Sequence, residues 1–482
     1  MSSIKKNYIY NTIYNILSII IPLITTPYIS RVLGPEGIGI YSYTYSISYY
    51  FSMFIILGLN KYGNRTISSI KGDSEKVNKV FCEIFAMQFI IGIIVSLIYV
   101  FCFFNIFTSY KLIQLIQFIY VLASVFDITW FFFGMEEFKF TVTKNIIIRL
   151  LNLILIFILV KDSNGLLMYT IIMSTTTLLS QLSLWPLLFK KYIKLSFPKF
   201  KDIIQHLKPN LLLFVPTVAV SLYKIMDKIM LGFMVNATHV GYYENAEKII
   251  NIPMMFITSL GIVMLPRMSN IVSNGDEKKE KKYIDLSMTF ILWISTALCY
   301  GIAAISDVFV PWFLGNQFMK TSELLCILVP TVIFSSWGNV ITNQILIPRK
   351  KDISLIVSVS AGALCNLILN MILIPVLQSN GAAVATLITE LVVCIFYIIN
   401  SKKLFDWKKY LKEELLYIIP GLIMLMLVTN INITIFNDFM CILVKILLGA
   451  ITYIVLTFIN VKIFDKEKYI YLENFKKIVL KK

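Results

Sequence analysis

The sequence predicts an all-α integral membrane protein with about fourteen transmembrane helices, and three observations predict that class. Of the 482 residues, 58% are hydrophobic and only 15% charged, with a mean hydropathy of +0.78. A water-soluble chain of this length needs more polar surface to cover its core. The apolar residues gather into runs of about 20, the length a helix needs to cross hydrocarbon. Lysine and arginine, finally, concentrate in alternate connections between those runs, as the positive-inside rule requires.

In chain order the spans are Tyr8 to Ser30, Ile38 to Leu59, Val80 to Phe107, Leu112 to Phe133, Phe140 to Val160 and Leu166 to Phe189 for spans 1 to 6. Spans 7 to 12 are Pro209 to Gly232, Tyr242 to Met264, Ile284 to Ser306, Leu324 to Ile347, Ile353 to Val376 and Gly381 to Ile399. Leu415 to Ile431 and Phe439 to Val461 add spans 13 and 14. An even number puts both termini on one side. Of the 44 basic residues, 35 fall on that side, counting Lys144 just inside the start of span 5, 4 (Arg31, Lys111, Lys161 and Lys320) on the other, and the remaining 5 within spans. A wrong span count would scramble this alternation, so both termini are expected in the cytoplasm.

The net charge of +17 does not point to nucleic acid, because the basic residues lie in short clusters between spans and form no continuous face. All seven cysteines sit in or beside apolar runs, without a CxxC pair, so neither disulfide nor thiolate metal site is expected. With His206 and His239 the only histidines, a histidine metal centre is not expected either. Lys5 and Lys6 precede the first run, but it is too long for a signal peptide and ends in Arg31 without a small-residue cleavage site, so it reads as a retained span.

Internal repetition organises the chain further. Gly39 and Tyr41 match Gly241 and Tyr243 at a shift of 202, Leu57-Gly58 match Leu260-Gly261 at 203, Arg65 matches Arg267 at 202, and Gly72-Asp73 match Gly275-Asp276 at 203. Six spans separate the equivalents, so the repeats have the same orientation and are expected to be related by an axis along the membrane normal. The expected organisation is a lobe over 1–189, a basic linker over 190–208, a second lobe over 209–400, and two extra spans with a basic tail over 401–482. No connection is long enough for an extramembrane catalytic domain. No GxxxxGK[ST] is present, and GPEGIG at Gly34 to Gly39 lacks the spacing and the strand of a nucleotide fingerprint. An enzyme is therefore not expected, and no cofactor beyond a coupling ion, H⁺ or Na⁺.

Ionisable groups inside spans carry the functional signal, since each costs a few kcal/mol unless it meets water or a partner. Lys224, Asp227 and Lys228 share one face of span 7, and Glu244 and Lys248 stand at i and i+4 on span 8. With Arg31 at the end of span 1, this set predicts a wet, basic-edged cavity for an anionic head group where spans 1, 7 and 8 meet. Pairing along the helix and snorkelling are the competing structural readings for each residue alone. Glu390 lies about nine residues, roughly 14 Å, into span 12. It and Asp127, at the far end of span 4, are the candidate ion-coupling carboxylates, against a structural, hydrogen-bonded role for each. Pro22, Pro27 and Pro216 stand at corresponding places in spans 1 and 7 and predict bends there.

Five stretches carry a resemblance: TTPYISRVLGPEGIGIYSY from Thr25, DITWFFFGMEEFKF from Asp127, DKIMLG from Asp227, VGYYENAEKIINIP from Val240 and LPRMS from Leu265. They resemble the bacterial polysaccharide flippases, the O-antigen, capsule and teichoic-acid repeat-unit translocases of the multidrug/oligosaccharidyl-lipid/polysaccharide exporter superfamily. The resemblance covers the first twelve spans and becomes compositional beyond about Ser401. It implies two six-helix lobes in a V, and movement of an undecaprenyl-diphosphate-linked oligosaccharide between leaflets of the bacterial plasma membrane. It implies the lipid bilayer as surroundings and a polysaccharide polymerase with its chain-length machinery as partners. Arg31 matches the place of the diphosphate-holding arginines of related lipid II flippases, and Arg65 matches less closely. Multidrug extrusion antiporters share the architecture, but their cationic cargo favours an acidic, aromatic cavity, whereas the candidates here lean basic. A lipid II flippase is the second alternative of this class. A membrane glycan polymerase, from a different class, would need a catalytic pair in a long loop.

Overall fold

The computed structural model describes residues 2–106, 109–402, 404–431 and 437–464, which are helical almost throughout and contain no strand. Ten of the helices are long and apolar enough to cross a membrane by themselves. The pair Asn316–Leu328 and Thr331–Leu346, bent by 47°, adds an eleventh. Ser2–Ile56 holds spans 1 and 2, and Trp407–Asn430 holds span 13. The chain is thus a multi-pass membrane protein with fourteen spans among the described residues.

Each departure from a straight span has a local cause. Within Ser2–Ile56 the one residue outside helical dihedrals is Gly34, at φ 66° and ψ 177°. Only glycine takes that conformation cheaply. The break between spans 1 and 2 therefore falls there, while Pro22 and Pro27 stay helical, because a proline removes a hydrogen bond yet keeps a helical φ. Span 4 ends at Val125, earlier than the hydropathy suggests, and restarts as the short helix Thr129–Gly134. Asp127 Oδ1 accepts from the Thr129 backbone N–H at 2.9 Å and from the Thr129 hydroxyl, and Gln88 Nε2 donates to the carbonyls of Ser124 and Asp127. Side chains thus satisfy the backbone groups that the break releases. In span 10, Pro330 separates Met319–Leu328 from Thr331–Val340, and a π-helical turn follows over Ile341–Leu346.

The described chain divides into two compact units, Met1–Gly241 and Tyr242–Lys482. In the first, the ends of the spans nearest the basic connections gather on a core that includes Tyr62, Ile67, Phe81, Trp130, Phe131 and Leu188. The amphipathic helix Leu59–Ile70 packs on it through Gly63, where a Cβ would come within 2.5 Å of the Trp130 ring. The repeated Gly-Asp pairs prove to be helix starts. Asp73 caps Ser74–Asn105 by accepting from Lys76 N, and Asp276 caps Glu277–Leu314 by accepting from Lys279 N, each worth about 1 kcal/mol.

A clasp closes the edge of this core. Glu137 Oε1 accepts from Lys191 Nζ at 2.8 Å and from the Tyr192 hydroxyl at 2.5 Å, and Lys71 Nζ stands 2.7 Å from Glu136 Oε2. Partial burial opposes ionisation of Glu137, but the hydrogen bonds from Lys191 and Tyr192 outweigh it and hold the carboxyl below its ordinary value. The hydrogen bonds to Glu137 and Tyr192 push Lys191 up to about 12. Glu137 therefore contributes stability above the ordinary glutamate pKa of about 4.3 and loses it as pH falls through the lowered value. The lysine's contribution is complete below about 10.4 and fades as pH rises through the higher one. An exposed pair is worth at most about 1 kcal/mol. Glu137→Gln is accordingly expected to lower the unfolding temperature of detergent-solubilised protein by about 1–2 °C at pH 7. The difference from wild type is expected to close in strong acid, as a melting series over pH would show.

Candidate functional site

The first unit carries four of the candidate residues on its spans 1 and 7. Arg31 is exposed, three residues before the break at Gly34. On Leu207–Met234, the helix of span 7, Lys224 is exposed, Lys228 half-buried and Asp227 buried. The Lys224 ammonium lies 6.0 Å from the Tyr223 ring centroid. The i, i+3, i+4 spacing thus sets two cations at the surface of an apolar helix around one buried carboxylate. Arg65 is exposed on Leu59–Ile70, among the basic connections and so at the other end of the spans from Arg31. In the second unit, Lys248 Nζ and Glu244 Oε1 form an i, i+4 ion pair at 3.1 Å. Glu390 Oε2, on Ser379–Ser401, accepts from the Ser335 hydroxyl at 2.8 Å. Asp127 Oδ1 accepts from Thr129 at the break before Thr129–Gly134, as described above.

The repeated glycines have a geometric role that their spacing alone did not reveal. A Cβ on Gly39 would lie 1.7 Å from the Ala237 carbonyl oxygen, and one on Gly241 would lie 1.9 Å from the Pro35 carbonyl oxygen. Ala237 precedes Gly241 by four residues, as Pro35 precedes Gly39. The contact is reciprocal, so the equivalent glycines of the two repeats cross backbone to backbone. Close by, Gly232 of span 7 lies against the Tyr43 ring, where a Cβ would come within 2.1 Å, and the Tyr50 hydroxyl donates to the Ser221 carbonyl at 3.1 Å. The corner at Pro35, spans 2 and 7, and residues 237–241 are therefore held together within the first unit, at the end that carries Arg31.

Several buried polar networks escaped the sequence reading. In the first unit the Tyr62 hydroxyl lies 2.6 Å from His206 Nδ1, and His206 Nε2 lies 2.9 Å from Glu83 Oε2. Glu83 and His206 are 2% and 6% exposed, so this chain ties the segment before span 7 to the helix Leu59–Ile70 and to span 3. In the second unit Arg349 makes a two-pronged pair with Glu280, its Nη2 2.6 Å from Oε2. The buried Glu414 accepts from the Thr296 hydroxyl at 2.5 Å and from Trp337 Nε1 at 3.2 Å. These join span 13 to spans 9 and 10. Their sequence signal was the position of single carboxylates at span ends, which names no partner.

Fourteen spans among the described residues, with a repeated, glycine-crossed start, define a polytopic α-helical membrane fold. Solved structures agree. The lipid II flippase MurJ in an inward closed conformation superposes with a TM-score of 0.69 over 91% of this chain and 98% of that one, at 18% identity. An inward-facing multidrug resistance MATE family transporter of the MOP superfamily gives 0.62 over 81% and 95%, at 15% identity. Residues 4–272 match the polysaccharide biosynthesis protein family, and the chain belongs to that family. It is 26% identical over 412 residues to the "Putative O-antigen transporter" of Escherichia coli (strain K12), covering 83% of this chain and 98% of that protein. Over 412 residues it is 24% identical to the capsular polysaccharide biosynthesis protein CapF of Staphylococcus aureus, covering 83% and 100%. The protein is thus a multi-pass membrane member of the polysaccharide biosynthesis protein family, with the fold that these solved structures share.

Proposed function

We propose that the chain is a flippase that carries undecaprenyl-diphosphate-linked oligosaccharide repeat units from the inner to the outer leaflet of the bacterial plasma membrane by alternating access. The product would feed capsule, O-antigen or another surface polysaccharide. The observation that carries this reading is the face of span 7, where Lys224 and Lys228 reach the surface of an otherwise apolar helix in the unit that also presents Arg31. A family match and full-length relatives named for O-antigen transport and capsule synthesis support it.

The physical demand of the task fits those residues. Bare transfer through hydrocarbon would strip water from many sugar hydroxyls and from a diphosphate, at several kcal/mol for each polar group left unpaired. A hydrated basic path removes most of that cost, and the polyprenyl tail stays in lipid. With both termini cytoplasmic, outward movement of anions follows the membrane potential and gains about 2.3 kcal/mol per charge per 100 mV. Coupling to H⁺ or Na⁺ through Glu390 is a secondary device in this scheme, and a polysaccharide polymerase is the expected downstream partner.

Deleting the gene tests the reading in the cell. Lipid-linked repeat units are expected to accumulate on the cytoplasmic leaflet, with restoration by the wild-type chain. Normal surface polysaccharide in the deletion strain, without such accumulation, would overturn the proposal.

A further inference from the structure

We propose that Tyr41, Tyr45 and Tyr49 of span 2, with Tyr120 of span 4 and Tyr169 of span 6, form a track on which the sugar rings of the cargo stack. The proposal rests on the flippase reading and assigns to the first unit a saccharide site separate from the basic residues.

Positions i, i+4 and i+8 place the three span 2 rings along one helix face. Tyr41 and Tyr45 stack with centroids 5.8 Å apart and planes at 13°. Tyr169 meets Tyr41 edge-on at 4.7 Å. Tyr120 lies 4.9 Å from Tyr45, with the two hydroxyls 3.2 Å apart, and Tyr49 continues the row at 6.4 Å from Tyr45. The row is thus continuous over more than two helical turns.

Depth separates Tyr45, Tyr49 and Tyr120 from an interfacial belt, while Tyr41 and Tyr169 lie near the ends of their spans. Tyr49 lies about eleven residues, roughly 16 Å, from the start of span 2, half-way through a hydrocarbon core of about 30 Å. Tyrosine is a poor choice for a lipid-facing position there, because its hydroxyl would lose water without gaining a partner. The large side chains that this part of the unit exposes are instead Phe54, Leu115 and Ile171. All five tyrosines are half-buried, so their rings are neither sealed in a core nor turned fully outward. Between them, Thr44 and Ser46 spend their hydroxyls on their own helix, donating to the carbonyls of Ile40 and Ser42.

The chemistry of a pyranose suits such a row. One face of the ring presents C–H groups, which pack on an aromatic ring, while its edge presents hydroxyls, which a phenol can bond as donor or acceptor. Phenylalanine or leucine would serve ordinary packing equally well and would leave no polar group to satisfy at the midplane. Stacking also asks little about which sugar is present. A ladder of equivalent rings lets successive residues of an oligosaccharide slide without a deep trap.

The test uses the purified full-length protein and two probes, undecaprenyl diphosphate with and without its oligosaccharide. Wild type is expected to bind the glycosylated lipid more tightly than the bare one. The double variant Tyr45→Leu/Tyr49→Leu is expected to lose that preference by at least tenfold, with bare-lipid affinity unchanged. Tyr45→Phe/Tyr49→Phe, which keeps the rings, is expected to retain most of it. Should the double leucine variant fail to fold, Tyr49→Leu alone carries the same comparison. Equal weakening for both lipids, or an unchanged preference in the leucine variants, would overturn the track while leaving the flippase reading intact. Wild type that binds neither lipid would overturn both.

Discussion

Gly241→Val is expected to abolish export while leaving the protein in the membrane at wild-type abundance. The Cβ it introduces would fall within 2 Å of a main-chain oxygen, and a main chain cannot rotate out of the way as a side chain can. Relief requires the two helices to part, and overpacking of this kind costs about 1–3 kcal/mol or more. That is about a tenfold to hundredfold shift away from the crossed arrangement. The spans are inserted by their own hydrophobicity, so the loss falls on the conformational cycle and not on topology. Gly39→Ala presses on the Ala237 carbonyl from the other helix of the same crossing and is expected to act in the same direction, less strongly. Gly72→Ala is the control, because nothing lies within 4 Å of the atom it adds. Export measured beside membrane abundance checks all three. Wild-type export by Gly241→Val would show that the crossing is incidental.

Arg31→Ala combined with Lys228→Ala is the substitution expected to hurt most among the charged residues. A hydrogen bond to a charged group contributes about 1.5–3 kcal/mol, so losing the diphosphate's partners would lower export by tenfold or more. Arg31→Lys retains the charge without the two-pronged geometry and is expected to fall between. The effect is expected to appear for any cargo that carries the diphosphate, whatever its sugars. That separates it from the aromatic substitutions, which should matter only when sugars are present. Full export by the double alanine variant would remove the basic residues from the mechanism.

Much of this molecule was legible from its residues. Length and periodicity of the apolar runs gave the spans, since bilayer thickness leaves a helix few choices of length. The repeat pointed to Gly39 and Gly241 as equivalents, and the structure adds that they touch. Gly34 was recognisable as a turn because a glycine next to a proline invites one. Pro22 and Pro27 keep helical dihedrals, because φ at a proline is already helical, and the break between spans 1 and 2 falls instead at Gly34, a residue that can leave that region. Asp127 shows a second limit. A carboxylate in a span looks functional by cost alone, and the sequence does not show that Asp127 Oδ1 also bonds Thr129, two residues on, at a break in the helix. The buried pairs of Glu83 with His206 and Glu280 with Arg349 join residues 123 and 69 positions apart, and no local pattern encodes such a meeting. The tyrosines did carry a local signal, the i, i+4, i+8 spacing inside IYSYTYSISYY, which reads as core until their depth and partial exposure are known.

The central claim is movement of a sugar diphosphate lipid across a bilayer by this chain alone. Purified protein reconstituted into liposomes with an inside-labelled undecaprenyl-diphosphate oligosaccharide tests it most directly, with a membrane-impermeant glycosidase outside as the reporter. The cargo is expected to become accessible to the enzyme at a rate that rises with protein content and falls at least tenfold in Arg31→Ala/Lys228→Ala. Cargo that stays protected at every protein content, in liposomes shown to hold folded protein, would contradict it.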